Sequence, residues 1–148
     1  MPTTLDFVAR LAAAIAAGLA IGFNRNLTGK PLGMRTLALV SLSAAIVTLS
    51  AISFLGFDAP KPAMARVLQG IIEGVMTGMG FIGAGVILRD REAQTVHGLT
   101  TAASVWVTAA LGIACGLAAW PIAISGTLIA VAVLVVLRWV ESRWHIVD

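Results

Sequence analysis

Three groups of residues in this chain have types and spacings that could do chemistry. Gly78-x-Gly80-x-x-Gly83 has the spacing of a dinucleotide-binding turn, where glycines let the backbone approach a pyrophosphate. That turn needs a strand before it, a helix after it and an acidic residue about 20 positions on. Here an apolar run surrounds the glycines, so nucleotide binding is set aside. Gly29-Lys30 is followed by Pro31, and Gly22 is too far upstream to complete a phosphate loop. The series Gly78, Gly80, Gly83 and Gly85 instead predicts close helix packing. A local helix break, exposing carbonyls to a buried site, is the alternative.

The second group is ionisable. Arg10 and Glu73 sit inside apolar runs at matching depth, and intramembrane charges usually pair or line a cavity. A mutual Arg10–Glu73 pair is expected, with Asp6, one turn from Arg10, as the competing partner. The third group opens the fourth apolar run. His97 has no second ligand at metal-binding spacing, so a loop histidine near lipid head groups is the simpler reading. Thr100 and Thr101 are placed to cap the helix that follows, whose N-terminal partial charge could hold an anion. No cofactor, metal site or nucleophile–base set is expected.

The elements that must position these residues belong in a bilayer. The chain has 148 residues, 59% hydrophobic and 11% charged, with mean hydropathy +0.97. A soluble domain carries about 25% charged residues, so most of this surface must face lipid. The net charge of +3 fits loops near anionic lipid head groups, and the few aromatics offer no stacking platform for nucleic acid. Cys115, the single cysteine, has no intrachain disulfide partner.

A span takes about 20 apolar residues. Residues 5–23, 34–54, 65–88, 99–119 and 121–140 qualify, predicting an all-α bundle of five transmembrane helices in one domain over 1–148, with no soluble C-terminal domain. Four spans with a re-entrant segment at Trp120-Pro121 is the alternative. Asp6 and Arg10 lie where a signal peptide would be apolar. Five spans put Arg25, Lys30, Arg35, Arg89, Arg91, Arg138 and Arg143 on one side and Lys61 and Arg66 on the other. The positive-inside rule then predicts an outer N-terminus and a cytoplasmic C-terminus. Small residues recur every four positions at Ala14-Gly18-Gly22, Gly70-Gly74-Gly78 and Ser104-Thr108-Gly112-Gly116. Packing inside the chain is expected of these stripes, with homodimerisation through one of them as the alternative.

Three segments carry a family resemblance. Gly22-Phe-Asn-Arg-Asn-Leu-Thr-Gly-Lys-Pro-Leu-Gly-Met-Arg-Thr36 resembles the first signature of the MgtC/SapB family of bacterial membrane proteins. Gly78-Met-Gly-Phe-Ile-Gly-Ala-Gly-Val-Ile-Leu-Arg89 resembles the second, and His97-Gly-Leu-Thr-Thr-Ala-Ala-Ser-Val-Trp-Val-Thr-Ala-Ala110 the third, in family order. The resemblance implies a multi-pass protein of the bacterial inner membrane, associated with magnesium limitation, intracellular survival of pathogens, acid tolerance and modulation of the F-type ATP synthase. Many members carry a soluble C-terminal domain, and the family commonly has an acidic residue where Asn24 stands here. By the topology above, Arg25, Arg35, Thr36, Gly78, Gly80, Gly83, Gly85, Arg89, His97, Thr100 and Thr101 fall at or near the cytoplasmic face.

The expected function is therefore non-enzymatic modulation of ion homeostasis, through the cytoplasmic face and contacts within the bilayer. A small oligomeric ion or solute transporter is the alternative. A magnesium path is poorly supported, since Mg²⁺ takes carboxylates with retained waters, whereas Arg10, Lys61 and Arg66 offset Asp6, Asp58 and Glu73. Expected partners are anionic lipids, a second copy of the chain and, by resemblance only, the ATP synthase.

Overall fold

The computed structural model describes residues 3–27, 30, 32–56, 60–89 and 96–144. Asp58, Arg91, Thr28, Gly29 and Pro31 lie outside the described residues. Among the described residues five helices are long and apolar enough to cross a membrane: α1 (Thr4–Leu27), α2 (Met34–Leu55), α3 (Lys61–Val86), α4 (Leu99–Gly116) and α5 (Trp120–Trp144). A two-residue antiparallel ladder, β1 (Leu88–Arg89) with β2 (Val96–His97), joins α3 to α4.

Helices α1, α2 and α4 form the tight centre, and α3 and α5 lean on it from outside. In lipid no hydrophobic force drives helices together, so close backbone approach at small residues must do so. A methyl group added at Gly18 would sit 2.5 Å from the Leu37 carbonyl oxygen, and one at Gly22 would sit 2.5 Å from Met34 Cα. These contacts run α1 antiparallel to α2. A methyl at Gly112 would strike the Ser41 carbonyl oxygen and lie 2.9 Å from Ala44 Cβ, and one at Gly116 would lie 2.9 Å from Thr48 Cβ. These run α4 parallel to α2. Two of the three small-residue stripes are therefore internal packing surfaces.

The third stripe is not. Among the described residues nothing lies within 4 Å of a methyl added at Gly70, Gly74, Gly78, Gly80 or Gly85. Of the glycine series only Gly83 would bring an added methyl group against another described helix, 3.5 Å from Ala102 Cβ. Helix α3 also runs unbroken from Lys61 to Val86. Neither intrachain packing at Gly74 and Gly78 nor a helix break is realised. The reason is that α1 and α4 already occupy the small-residue positions on α2, leaving α3 to meet the bundle through Ile71, Val75, Met76, Met79 and Gly83.

The α4–α5 turn is as tight as Ala119-Trp120-Pro121 predicts, and the re-entrant alternative is excluded. Ala118 takes a left-handed φ of 55°. Its N–H donates to the Cys115 carbonyl at 3.0 Å, and the N–H of Ala119 donates to the Ala114 carbonyl at 2.9 Å. This is a Schellman closure with alanine where glycine usually stands.

Candidate functional site at the Arg25 end of the bundle

The buried face of α1 runs Ala14, Ala17, Gly18, Ile21, Gly22 and then Arg25. Arg25 continues that stripe one turn beyond Gly22, which places a guanidinium between helices, only 3% exposed. Its Nη2 donates to Oγ1 of Thr101, itself 2% exposed, in the first turn of α4. The same chain end folds back through the Lys30 N–H, which donates to the Arg25 carbonyl at 3.3 Å, and the Leu37 N–H, which donates to Gly33 at 3.2 Å. Below it Gly22 lies against Met34.

The α3–α4 connection is held beside it. Gly98 has φ 90°, and a methyl group there would collide with the Val86 carbonyl oxygen. Glycine is required on both counts. Its carbonyl accepts the Ala102 N–H at 2.9 Å, and Leu88 pairs with His97 across the ladder. The segments 22–36, 78–89 and 97–110 thus meet at one end, joined by Arg25–Thr101 and by Gly98–Val86.

Several sequence-predicted residues are placed differently. Thr100 and Thr101 do not cap α4; Gly98 is the N-cap and no side chain bonds there. Thr101 instead accepts from Arg25, and the Thr100 carbonyl accepts the Ser104 hydroxyl at 2.7 Å. Arg35 and His97 are exposed and Thr36 is half-buried. Arg89 is placed only by its pairing with Val96. The Arg10–Glu73 pair does not form. Arg10 Nη2 lies 2.7 Å from the Asp6 carboxylate and its Nη1 donates to the Gly116 carbonyl at 3.1 Å. Glu73 is exposed and accepts from Gln69 Nε2 at 2.8 Å. Equal depth misled because depth does not fix direction around a helix. Accordingly Arg10→Leu and Asp6→Leu should show a coupling of about 0.5–1 kcal/mol in a double-mutant cycle on unfolding in detergent. Arg10→Leu with Glu73→Leu should be additive; a larger coupling there would contradict the observed pairing.

Two hydroxyls buried inside the bundle are folded back on their own helices, whereas that of Ser41 has no hydrogen-bond partner among the described residues. Thr48 donates to the Ala44 carbonyl at 2.8 Å and Thr108 to Ser104 at 2.7 Å, a local bonding mode that satisfies hydroxyls in apolar surroundings. Larger spaces lie between helices instead. One of about 360 Å³ is bounded by Ile21, Ser104, Val107, Ala130 and Leu134. Another of about 500 Å³ lies between α2 and α3 beside Arg66, Gly70 and Gly74. Among the described residues no cluster of His, Cys, Asp or Glu could hold a metal ion.

A family model described as the MgtC family matches residues 11–143. The chain belongs to the MgtC family. It is 36% identical to the protein SrpB of Synechococcus elongatus over 149 residues, covering 92% of this chain and 80% of SrpB. It is 36% identical to MgtC of Salmonella typhimurium (strain LT2) over 137 residues, covering 93% of this chain and 54% of that protein. YhiD of Escherichia coli (strain K12), whose name proposes magnesium transport, is 40% identical over 144 residues, covering 95% of this chain and 64% of YhiD. The chain thus spans most of SrpB but little more than half of the Salmonella protein. No solved structure matches it. The MgtC match takes in all three segments that meet at the Arg25 end.

Proposed function

We propose that this MgtC-family chain modulates magnesium- and proton-linked ion homeostasis from the bacterial inner membrane, through contacts rather than catalysis. The observation that carries the reading is the convergence of the three signature segments on a buried Arg25–Thr101 contact at one end of the bundle. Basic residues Arg25, Lys30, Arg35, Arg138 and Arg143 belong to that end by helix direction, and Lys61 and Arg66 to the other. By the positive-inside rule this end faces the cytoplasm and the N-terminus lies outside. A basic, structurally locked face there suits anionic lipid head groups and a membrane-protein partner, for which the family resemblance suggests the F-type ATP synthase.

The name of YhiD favours transport as a second reading. Against it, Gly112 packs on the Ser41 carbonyl where the buried hydroxyls lie, and the carboxylates of Asp6 and Glu73 are engaged by Arg10 and Gln69. The deciding measurement is Mg²⁺ entry into proteoliposomes loaded with a magnesium-sensitive dye. The regulatory reading expects no entry above protein-free vesicles. It also expects Thr101→Val, at unchanged protein level, to remove the chain's ability to support growth at limiting magnesium. Protein-dependent Mg²⁺ entry would overturn it.

A further inference from the structure

We infer that α3 is the contact helix of a parallel homodimer, clasped at mid-membrane by Gln69 and Glu73. This goes beyond the regulatory reading and rests on a different part of the fold. Glu73 lies twelve residues after Lys61 and thirteen before Val86, at the middle of a spanning helix, and it is exposed. An ionisable group at that depth, facing hydrocarbon, is costly and is normally turned towards protein. Among the described residues nothing lies within 4 Å of a methyl group added at Gly70 or Gly74 on that side of α3, which a space of about 500 Å³ separates from α2. At 100° per residue, Arg66, Gly70, Glu73, Gly74, Thr77 and Phe81 share one side, opposite the inward-facing Ile71 and Gly83, and all six are exposed.

The occupant is identified by the chemistry of the face. A Gln side chain has two amide N–H donors and a carboxyl group has two oxygens. One N–H of Gln69 reaches Glu73 Oε1 of its own helix at 2.8 Å; the second N–H and Oε2 form the complement of an identical pair. Copies inserted in the same orientation and related by a two-fold axis along the membrane normal meet at equal depth. That geometry brings the two Gln69–Glu73 pairs together across the axis, with Gln69 of each copy one helical turn in depth from Glu73 of the other and within side-chain reach of it. It also sets Gly70 and Gly74 against themselves, where no described residue lies within 4 Å of an added methyl group. Close approach of this kind is how small-residue stripes join helices in lipid. An unrelated helix would have to reproduce both the polar pair and its depth.

The test is disulfide crosslinking in native membrane vesicles, in a Cys115→Ala background. Thr77→Cys should give an oxidised homodimer, while Leu39→Cys, exposed on α2, should not. Adding Gly74→Leu should lower the Thr77→Cys dimer to the Leu39→Cys level. Because a methyl group added at Gly74 meets no described residue within 4 Å and the neighbouring α2–α3 space is about 500 Å³, the variant's helical content and melting should be no lower than the parent's, which separates lost association from lost folding. Glu73→Gln, whose amide oxygen has two lone pairs and can still accept both N–H groups, should retain the dimer, and Glu73→Leu should lose it. A dimer insensitive to both Gly74→Leu and Glu73→Leu overturns the inference. So does a Thr77→Cys product formed only with a different polypeptide.

Discussion

Thr101→Val should cost about 1.5–3 kcal/mol of unfolding free energy, the range for removing one partner of a buried hydrogen bond to a charged group. The shape of the side chain is kept, so packing changes little; the loss is an acceptor for a guanidinium that is 3% exposed. Thr101→Ser keeps the hydroxyl and should cost about 0.8 kcal/mol, the burial of one methyl group. Arg25→Leu removes the charge and leaves a hydroxyl that can fold back on its own helix, as Ser104 and Thr108 do. The double variant Arg25→Leu/Thr101→Val should therefore lose less than the sum. Neutral interhelical hydrogen bonds in membranes couple by about 0.6 kcal/mol, and a charged donor roughly doubles that, so about 1–1.5 kcal/mol is expected. The cycle is read from reversible unfolding in mixed micelles. Additivity within about 0.3–0.5 kcal/mol would show that the contact does not join α1 to α4.

Gly112→Ala should cost about 3 kcal/mol, the upper end for overfilling a packed interior. The obstacles are the Ser41 carbonyl oxygen and Ala44 Cβ, which can yield only if α2 and α4 move apart. The same substitution at Gly74 meets nothing. In dilute detergent it should be neutral or stabilising by up to about 1 kcal/mol, from the better helix propensity of alanine. The opposite signs are the result to look for in paired melting curves. Equal shifts would mean that the α2–α4 contact is looser than its geometry.

Much of the bundle is legible in the sequence, because a bilayer demands long apolar runs and leaves few ways to misread them. The boundaries shift for local reasons. α3 begins at Lys61 rather than 65 because proline is tolerated in the first helical turn. α4 ends at Gly116 rather than 119 because Ala118 adopts a left-handed conformation. Contacts between helices are less legible. The stripes on α1, α3 and α4 have the same period, yet only two meet α2; spacing states that a face is smooth, not what lies against it. The site was half visible. The signature segments marked the end where it sits, but Arg25 reads from charge alone as a loop-side basic residue. Its burial is signalled only by the continuation of Ala14, Gly18 and Ile21 onto position 25. Thr101 passes for a capping residue because nothing local shows that Gly98 takes that position in a conformation open to few other residues.

The parallel seating of α4 against α2 has a consequence for biosynthesis. A chain made from its N-terminus can pack α1 on α2 as a local hairpin as soon as both are inserted. The other side of α2, carrying Ser41, Ala44, Ala45 and Thr48, receives Gly112 and Gly116 only after α3 and then α4 have been made. Until then a hydroxyl-bearing surface stands open to lipid or to the insertion machinery. Non-local contacts of this kind are slow to form and expose intermediates. The interval between synthesis of α2 and arrival of α4 is thus when the nascent protein is most open to capture by membrane chaperones or proteases.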